Sequence, residues 1–261
     1  MKKMLILFAF SLSIILYSCS DESTAPNEGN GRIKMYMVDA PADYDSINIV
    51  VERVEVHKAD NGEEGEWIVI NNGTQTYNLL DLRNGASVVL GDTMLAAGHY
   101  TQIRLIIGAG SYIVVNGITY PLEIPSGMQT GVKLIHGFNI QAGVVYELVL
   151  DFDAEKSIVI TGTGDYSLKP TIRVVAMALS GSISGIVLPP DVLTSVWTAS
   201  GTDTITTYSD IIGAFKLMAL LEGTYDVYIT PSNPAYRDTV ITGVSVEAGL
   251  DTDIGVVTIF P

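Results

Sequence analysis

Cysteine is almost missing from this chain of 261 residues: Cys19 is the only one, so no disulfide can form within a single copy. Stability must then come from buried apolar side chains, and 48% hydrophobic residues over this length suffice for two cores. Cations are scarce as well. Lys+Arg number 14 against 29 Asp+Glu, a formal charge of -15, and a surface that neutralises phosphates needs the opposite sign, so no nucleic acid is expected as a partner. Charged residues of both signs make up only 16% of the chain against about 25% in ordinary soluble domains; the polar surface is built instead from Thr, Ser, Asn and Gly. The histidines His57, His99 and His136 fall in no zinc-ligand spacing. Neither Gly-x-Ser-x-Gly nor the phosphate-cradling Gly-x-x-x-x-Gly-Lys occurs. No stretch has a helical period long enough to trust. These gaps point to a chain that is not an enzyme.

What is present begins at the N-terminus. Lys2 and Lys3 precede an uncharged stretch from Met4 to Tyr17, the pattern of a secretory signal. It is shorter than the roughly 20 apolar residues of a spanning helix. Leu16-Tyr17-Ser18-Cys19, with leucine three residues before the cysteine and a small serine between, resembles the lipobox of bacterial lipoproteins. That resemblance implies a signal peptide over 1–18, cleavage before Cys19, and lipidation of its thiol. Two or three acyl chains hold a protein stably where one is marginal. Loss of Lys2 and Lys3 takes the formal charge from -15 to -17. Residues 19–31 then read as the lipidated cysteine and a flexible tether. Ser20-Asp21-Glu22 resembles the surface-export signal of Bacteroidota lipoproteins, and reads equally well as a solvated linker. The expected location is the cell envelope, lipid-anchored at the outer membrane, with display at the surface as the export reading.

From Arg32 onward, short alternating segments are separated by turn signals, which predicts an all-β chain. Strands are expected over 46–57, 67–70, 101–107, 112–115, 144–152, 157–160 and 168–175, then seven more over 182–188, 192–199, 204–208, 214–218, 225–230, 240–247 and 254–259. Asn116-Gly117 between two alternating runs is the strongest hairpin signal. Ser180-Gly181-Ser182 marks the expected boundary between two tandem β-sandwich domains, 32–179 and 180–261, of Greek-key, transthyretin- or immunoglobulin-like type. Leu95-x-x-Gly98-x-Tyr100 and Leu220-x-x-Gly223-x-Tyr225 repeat one pattern, with a looser copy ending at Tyr146. A glycine allows the tight turn, and a tyrosine opening the next strand can pack inward while its hydroxyl bonds the turn backbone, the logic of a tyrosine corner.

Two family resemblances rest on longer patterns. Val38-Asp39-Ala40-Pro41 with Tyr44-Asp45, Val54-Glu55-Val56-His57, Trp67, Tyr77-Asn78-Leu79-Leu80-Asp81-Leu82, Gly98-x-Tyr100-x-x-Ile103-Arg104, Asp151-Phe152-Asp153-Ala154 and Leu168-Lys169-Pro170 run in order, and the first half resembles the domain of unknown function DUF4382. The resemblance implies a sandwich-like extracellular module and no known reaction. Gly181-Ser182-Ile183-Ser184-Gly185-Ile186-Val187, Gly213-x-Phe215, Leu220-x-x-Gly223-x-Tyr225 and Val244-x-Val246-x-x-Gly249 make the second half similar to the carboxypeptidase regulatory-like (transthyretin-like) domain, with its carbohydrate-binding-like fold. It departs from that pattern at Asp210-Ile211-Ile212-Gly213, which carries an apolar pair in the turn. Such domains are mostly adapters and spacers, and some relatives in the fold bind glycans.

Candidate chemistry concentrates on aspartates. Asp39, Asp43 and Asp45 lie within seven residues, and Asp151 and Asp153 straddle Phe152. Should the two segments meet, five carboxylates could offer oxygens to calcium, which takes six to eight; Asx-turns and backbone capping are the simpler reading. Mid-strand Arg104 is expected to point outward, the other reading being a pair with Asp39 or Asp151. Trp67, Trp197, Tyr112, Tyr120, Tyr228 and Tyr236 could stack on sugars if exposed, but read first as core or corner residues. The function expected is a non-enzymatic, lipid-anchored envelope protein for binding or display, with a glycan or an envelope protein as partner. The alternative is a structural spacer or subunit of a surface assembly, adhesin- or pilus-like; an envelope hydrolase comes last.

Overall fold

In a computed structural model of the chain, residues 29–59, 65–125 and 130–261 are described. Cys19, the signal segment and most of the tether lie outside them. Thirteen strands form the first unit. Strands β1 (Asn30–Ala40), β5 (Val88–Ala96), β10 (Val145–Asp153) and β13 (Ile172–Ala176) make one sheet in the order β13-β10-β1-β5, with β1 and β10 parallel. The facing sheet has nine strands: β2 (Ser46–Lys58), β3 (Glu66–Asn71), β4 (Gln75–Asn78), β6 (Gly98–Ile107), β7 (Tyr112–Val115), β8 (Ile118–Glu123), β9 (Val132–Ile140), β11 (Ile158–Ile160) and β12 (Tyr166–Leu168). Alternation explains the pairing of layers. Ile33, Met35 and Met37 of β1 and Leu148, Leu150 and Phe152 of β10 point to one core, where they meet Ile47, Ile49, Ile103 and Leu105.

The second unit has the seven expected strands: β14 (Ser180–Leu188), β15 (Thr194–Ser200), β16 (Asp203–Tyr208), β17 (Ala214–Leu221), β18 (Gly223–Pro231), β19 (Thr239–Val246) and β20 (Asp251–Thr258). They fold into a three-stranded sheet, β17-β14-β20, and a four-stranded one, β16-β15-β18-β19, over a separate core that includes Ile183, Val196, Phe215, Leu217, Val227 and Ile229. The chain is therefore all-β, with sandwiches in tandem. A 3₁₀ turn at Met177–Leu179 leads from β13 into β14.

Three local features follow from single residues. Asn116 and Gly117 both have positive φ, 52° and 75°, as the tight β7–β8 hairpin requires. The Tyr100 hydroxyl donates to the Ala96 carbonyl (2.9 Å) and that of Tyr225 to the Leu221 carbonyl (2.7 Å), so both repeats are tyrosine corners. The looser copy differs: Tyr146 stacks on Phe138, centroids 5.5 Å apart. The strand expected over 168–175 is broken in two, because Pro170 offers no N–H to a ladder. The pattern also hid β5 and β9, which carry Gly91 and Gly137 in their interiors. Gly91 is required by close approach, since a Cβ there would lie 2.5 Å from Ile70 Cγ2.

Candidate functional site at the joint between the units

The two units meet on the outer face of the β13-β10-β1 sheet. Val38, Val149 and Val175 project there and pack on Ala219 of β17, a small third apolar cluster. Ala219 holds φ at +56°, a left-handed conformation that costs a non-glycine residue about 1–2 kcal/mol. Its carbonyl accepts from Arg173 Nη1 at 2.7 Å, and Arg173 Nη2 donates to Asp151 Oδ2 at 2.6 Å. Asn84 Nδ2 donates to the Ala214 carbonyl at 3.1 Å. Thus apolar packing, a partly buried ion pair and backbone acceptors on β17 all bind the second unit to the first.

The five aspartates are not gathered into one coordination sphere. In the parallel ladder Asp39 stands beside Phe152, while Asp151 stands beside Val38 and Asp153 beside Ala40; register partners share a face, so Asp39 takes the core side and the other two the joint side. Asp151 is paired with Arg173. Asp153 caps the one-turn helix α1 (Ala154–Ser157), accepting from the Lys156 N–H at 2.9 Å, and pairs with Lys156 Nζ at 2.7 Å. Asp45 accepts from the Gly117 N–H at 2.7 Å, and Asp43 is exposed. Among the described residues, no three His, Cys, Asp or Glu side chains group so as to hold a metal ion.

Asp39 is the one left incomplete. It is 6% exposed. Its Oδ1 accepts from the Ala154 N–H at 3.1 Å, whereas Oδ2 is buried without a hydrogen-bond partner. Burial pushes its pKa up to about 9; the Ala154 N–H opposes the rise, and the charges of Asp151 and Asp153 add to it. Asp39 also forms part of the wall of a cavity of about 20 Å³ between the units, together with Asn84 and Thr207. Asn84 Oδ1 and Thr207 Oγ1 are likewise buried without partners. Neither residue was marked by sequence reasoning. Asn84-Gly85 reads only as a turn, but Thr207 follows Ile205 on the inward parity of β16, and a polar side chain on an apolar parity was the available signal.

Beside this cavity opens a wider cleft of about 590 Å³, walled by Leu80 and Arg83 of the first unit and by Leu193, Tyr208 and Ile211 of the second. Ile211, from the apolar turn, is 93% exposed. Burial raises the Tyr208 pKa, and Glu155 and Asp43 add to the effect.

The remaining candidates lie elsewhere. Arg104 does not reach Asp39 or Asp151 and does not point freely outward: it pairs with Glu55 on the neighbouring strand, Nε to Oε2 at 2.6 Å, and its guanidinium lies 4.0 Å from the Trp67 ring centre. Glu55 is 4% exposed, and a buried carboxylate demands such a partner. Trp67 is thus flanked by Arg104 and by His57, and Tyr120 packs on Tyr166. Tyr236 packs against the second core, and Tyr112 is half-buried. Trp197 and Tyr228 stack on each other at 4.1 Å across β15 and β18, with one face of each ring already covered. The histidines are dispersed: His57 bonds Thr101, His99 bonds Asn139, and His136 lies by Phe138 with its pKa lowered by burial.

Comparison with known proteins matches residues 30–170 to the family described as "Domain of unknown function (DUF4382)". No curated protein matches the chain. Solved structures that it resembles include the shaft pilin SpaA of Lactobacillus rhamnosus GG, at 9% identity and a TM-score of 0.28, covering 90% of this chain and 98% of that one. GBS52, the minor pilin of Streptococcus agalactiae, gives 11% identity and a TM-score of 0.24 over 87% of this chain and 95% of that one. The Bacillus anthracis TIE protein gives 10% and 0.23 over 89% of this chain, which spans about a third (34%) of its length.

Proposed function

We propose, for a chain that belongs to the DUF4382 family, a non-catalytic role as a lipid-anchored spacer or subunit of a cell-envelope surface assembly. The observation that carries this reading is the joint: a valine cluster, the Asp151–Arg173–Ala219 chain of bonds and the Asn84–Ala214 bond join the two units through side chains and backbone at once. A spacer needs such a fixed angle. The geometry also suits an N-terminal anchor. The tether enters at Gly29, whose carbonyl accepts from the Ala97 N–H, and the 11 residues of β1 run roughly 35 Å at about 3.3 Å each before the joint at Val38–Ala40. The second unit, which we read as carboxypeptidase regulatory-like, is then carried at the end away from the lipid. Its outer strands β16 and β19 leave sheet edges on which a partner strand can add.

The test has two arms. With Cys19→Ser, the protein is expected to leave the membrane fraction; retention refutes the anchor. With Cys19→Ser as background and spin labels at Ile135→Cys and Val256→Cys, both exposed, a single narrow distance distribution is expected across the joint. A broad distribution refutes the spacer. A second reading, binding of a glycan, is favoured by the cleft beside Tyr208, whose ring and neighbouring Arg83 and Asp191 match the mixed apolar and polar character of a sugar. A glycan array probed with the full chain tests it, and binding abolished by Tyr208→Ala is the supporting result.

A further inference from the structure

We propose that the end of the first unit where the tether enters is a membrane-contact face, at which Met94, Val144 and Val145 sit in the headgroup boundary of the bilayer that holds the chain. The proposal rests on the lipid-anchored reading above and adds an orientation to it. These side chains surround the point of entry. The Gly29 carbonyl accepts from the Ala97 N–H at 2.7 Å and the Asn30 carbonyl from the Gly143 N–H at 3.0 Å, while the Arg32 N–H donates to the Val144 carbonyl at 2.9 Å. In the two ladders Arg32 stands between Met94 of β5 and Val145 of β10, so the three share the outer face of the sheet. Met94 is 55% exposed, Val144 47% and Val145 54%. The next row on this face is charged, Lys34 between Asp92 and Glu147, and it separates the apolar rim from the joint at Val38.

Position and charge name the occupant. Ten residue steps separate Cys19 from Gly29 and span at most about 36 Å, so acyl chains on Cys19 keep this rim within that distance of a bilayer. Three apolar side chains make a weak contact for a free protein. Tethering turns it into an intramolecular one, at an effective concentration in the millimolar range. The cations at this end suit lipid phosphates, against a chain whose formal charge is -15. Arg32 is half-exposed beside Asp92. Lys58 lays its stem over Gly98 where β6 begins, its Cε 3.1 Å from the place a Cβ would take. Long basic side chains of this kind pack their stems on apolar surface and keep the charge at the wet boundary.

The experiment supplies the tether independently of lipidation. The chain from residue 19 onward, with Cys19→Ser and a hexahistidine tag ahead of it, is held on phosphatidylcholine vesicles that contain a nickel-chelating lipid. A fluorescent label is placed by Met94→Cys, Val145→Cys or Ile211→Cys, each then the only thiol. Ile211 is the remote site: the cleft it lines includes Arg83, just ahead of the end of β5 that pairs with Met37. Relative to vesicles without nitroxide, nitroxide-bearing lipid is expected to quench the labels at 94 and 145 several-fold more than the label at 211, because side chains on such a face enter the boundary by about 5–10 Å. Val144→Asp with Val145→Asp, both exposed, is expected to keep the fold and to lose the quenching at 94. Equal quenching at the three sites overturns the proposal and leaves the anchor itself, which the fractionation of Cys19→Ser decides, untouched. So does quenching at 94 that survives the double aspartate variant. A blue shift at 94 that grows with protein concentration in the absence of vesicles assigns the face to a second copy of the chain and overturns it as well.

Discussion

Replacing Asp39 by asparagine should make stability less dependent on pH, and the size of the effect follows from its burial. In the unfolded chain an aspartate releases its proton near pH 3.9; in the folded chain burial holds this one to about 9. Between those values the folded state binds one more proton than the unfolded, so stability falls as pH rises, by up to about 1.4 kcal/mol per unit. The fall begins near 4 and ends near 9. From pH 5 to pH 8 it amounts to about 4 kcal/mol. The groups that face this carboxyl are Asp151 and Asp153, which raise its pKa, and Arg83, which lowers it, with Lys216 along the cavity wall; all are retained in the variant. Urea unfolding of wild type and Asp39→Asn at each pH isolates the one proton. The stability difference should grow in favour of asparagine by about 4 kcal/mol over that interval, and a difference flat with pH would refute the assignment of a buried, protonated Asp39.

Other expectations follow from single contacts. Tyr225→Phe should cost about 1 kcal/mol in chemical unfolding by removing the bond to the Leu221 carbonyl while keeping the ring; no measurable loss would sink the corner as a stabilising device. Glu55 is also paired with Arg53, Nε to Oε1 at 2.8 Å, so Arg104→Met together with Arg53→Met is what leaves it buried and unpaired, at a cost of about 3–5 kcal/mol, whereas adding Glu55→Leu should recover most of it; a triple variant no better than the double counts against the pairing. Gly213→Ala should destabilise sharply, as φ is +83° and the added Cβ would fall 2.1 Å from the Val187 carbonyl oxygen, and an unchanged Tm would contradict that geometry.

Elements governed by local chemistry were legible in the chain itself. Alternation gave the seven strands of the second unit, Asn116-Gly117 the β7–β8 hairpin of the first, and the Leu-x-x-Gly-x-Tyr pattern announced both corners. Each depends on neighbours within a few residues. Strands β1, β4, β5 and β9 were not among those expected; in β5 the period is interrupted by Gly91, which packing against Ile70 of β3 requires rather than its own segment, and in β9 by Gly137. The joint lay further out of reach. Asp39 and Asp151 stand out as carboxylates in the sequence, but the parallel register of β1 with β10 sends them to opposite faces, and Asp39 shares a cavity wall with Asn84 and Thr207, residues 45 and 168 positions away.

The amino-acid order by itself determined an all-β chain, because a period of two and the placing of turn residues act locally on each segment. Which carboxylate is paired, which is exposed and which is shut between two sandwiches was decided only by tertiary structure. Burial and partnership are properties of the whole packing, where one step of register turns a side chain from one face of a sheet to the other.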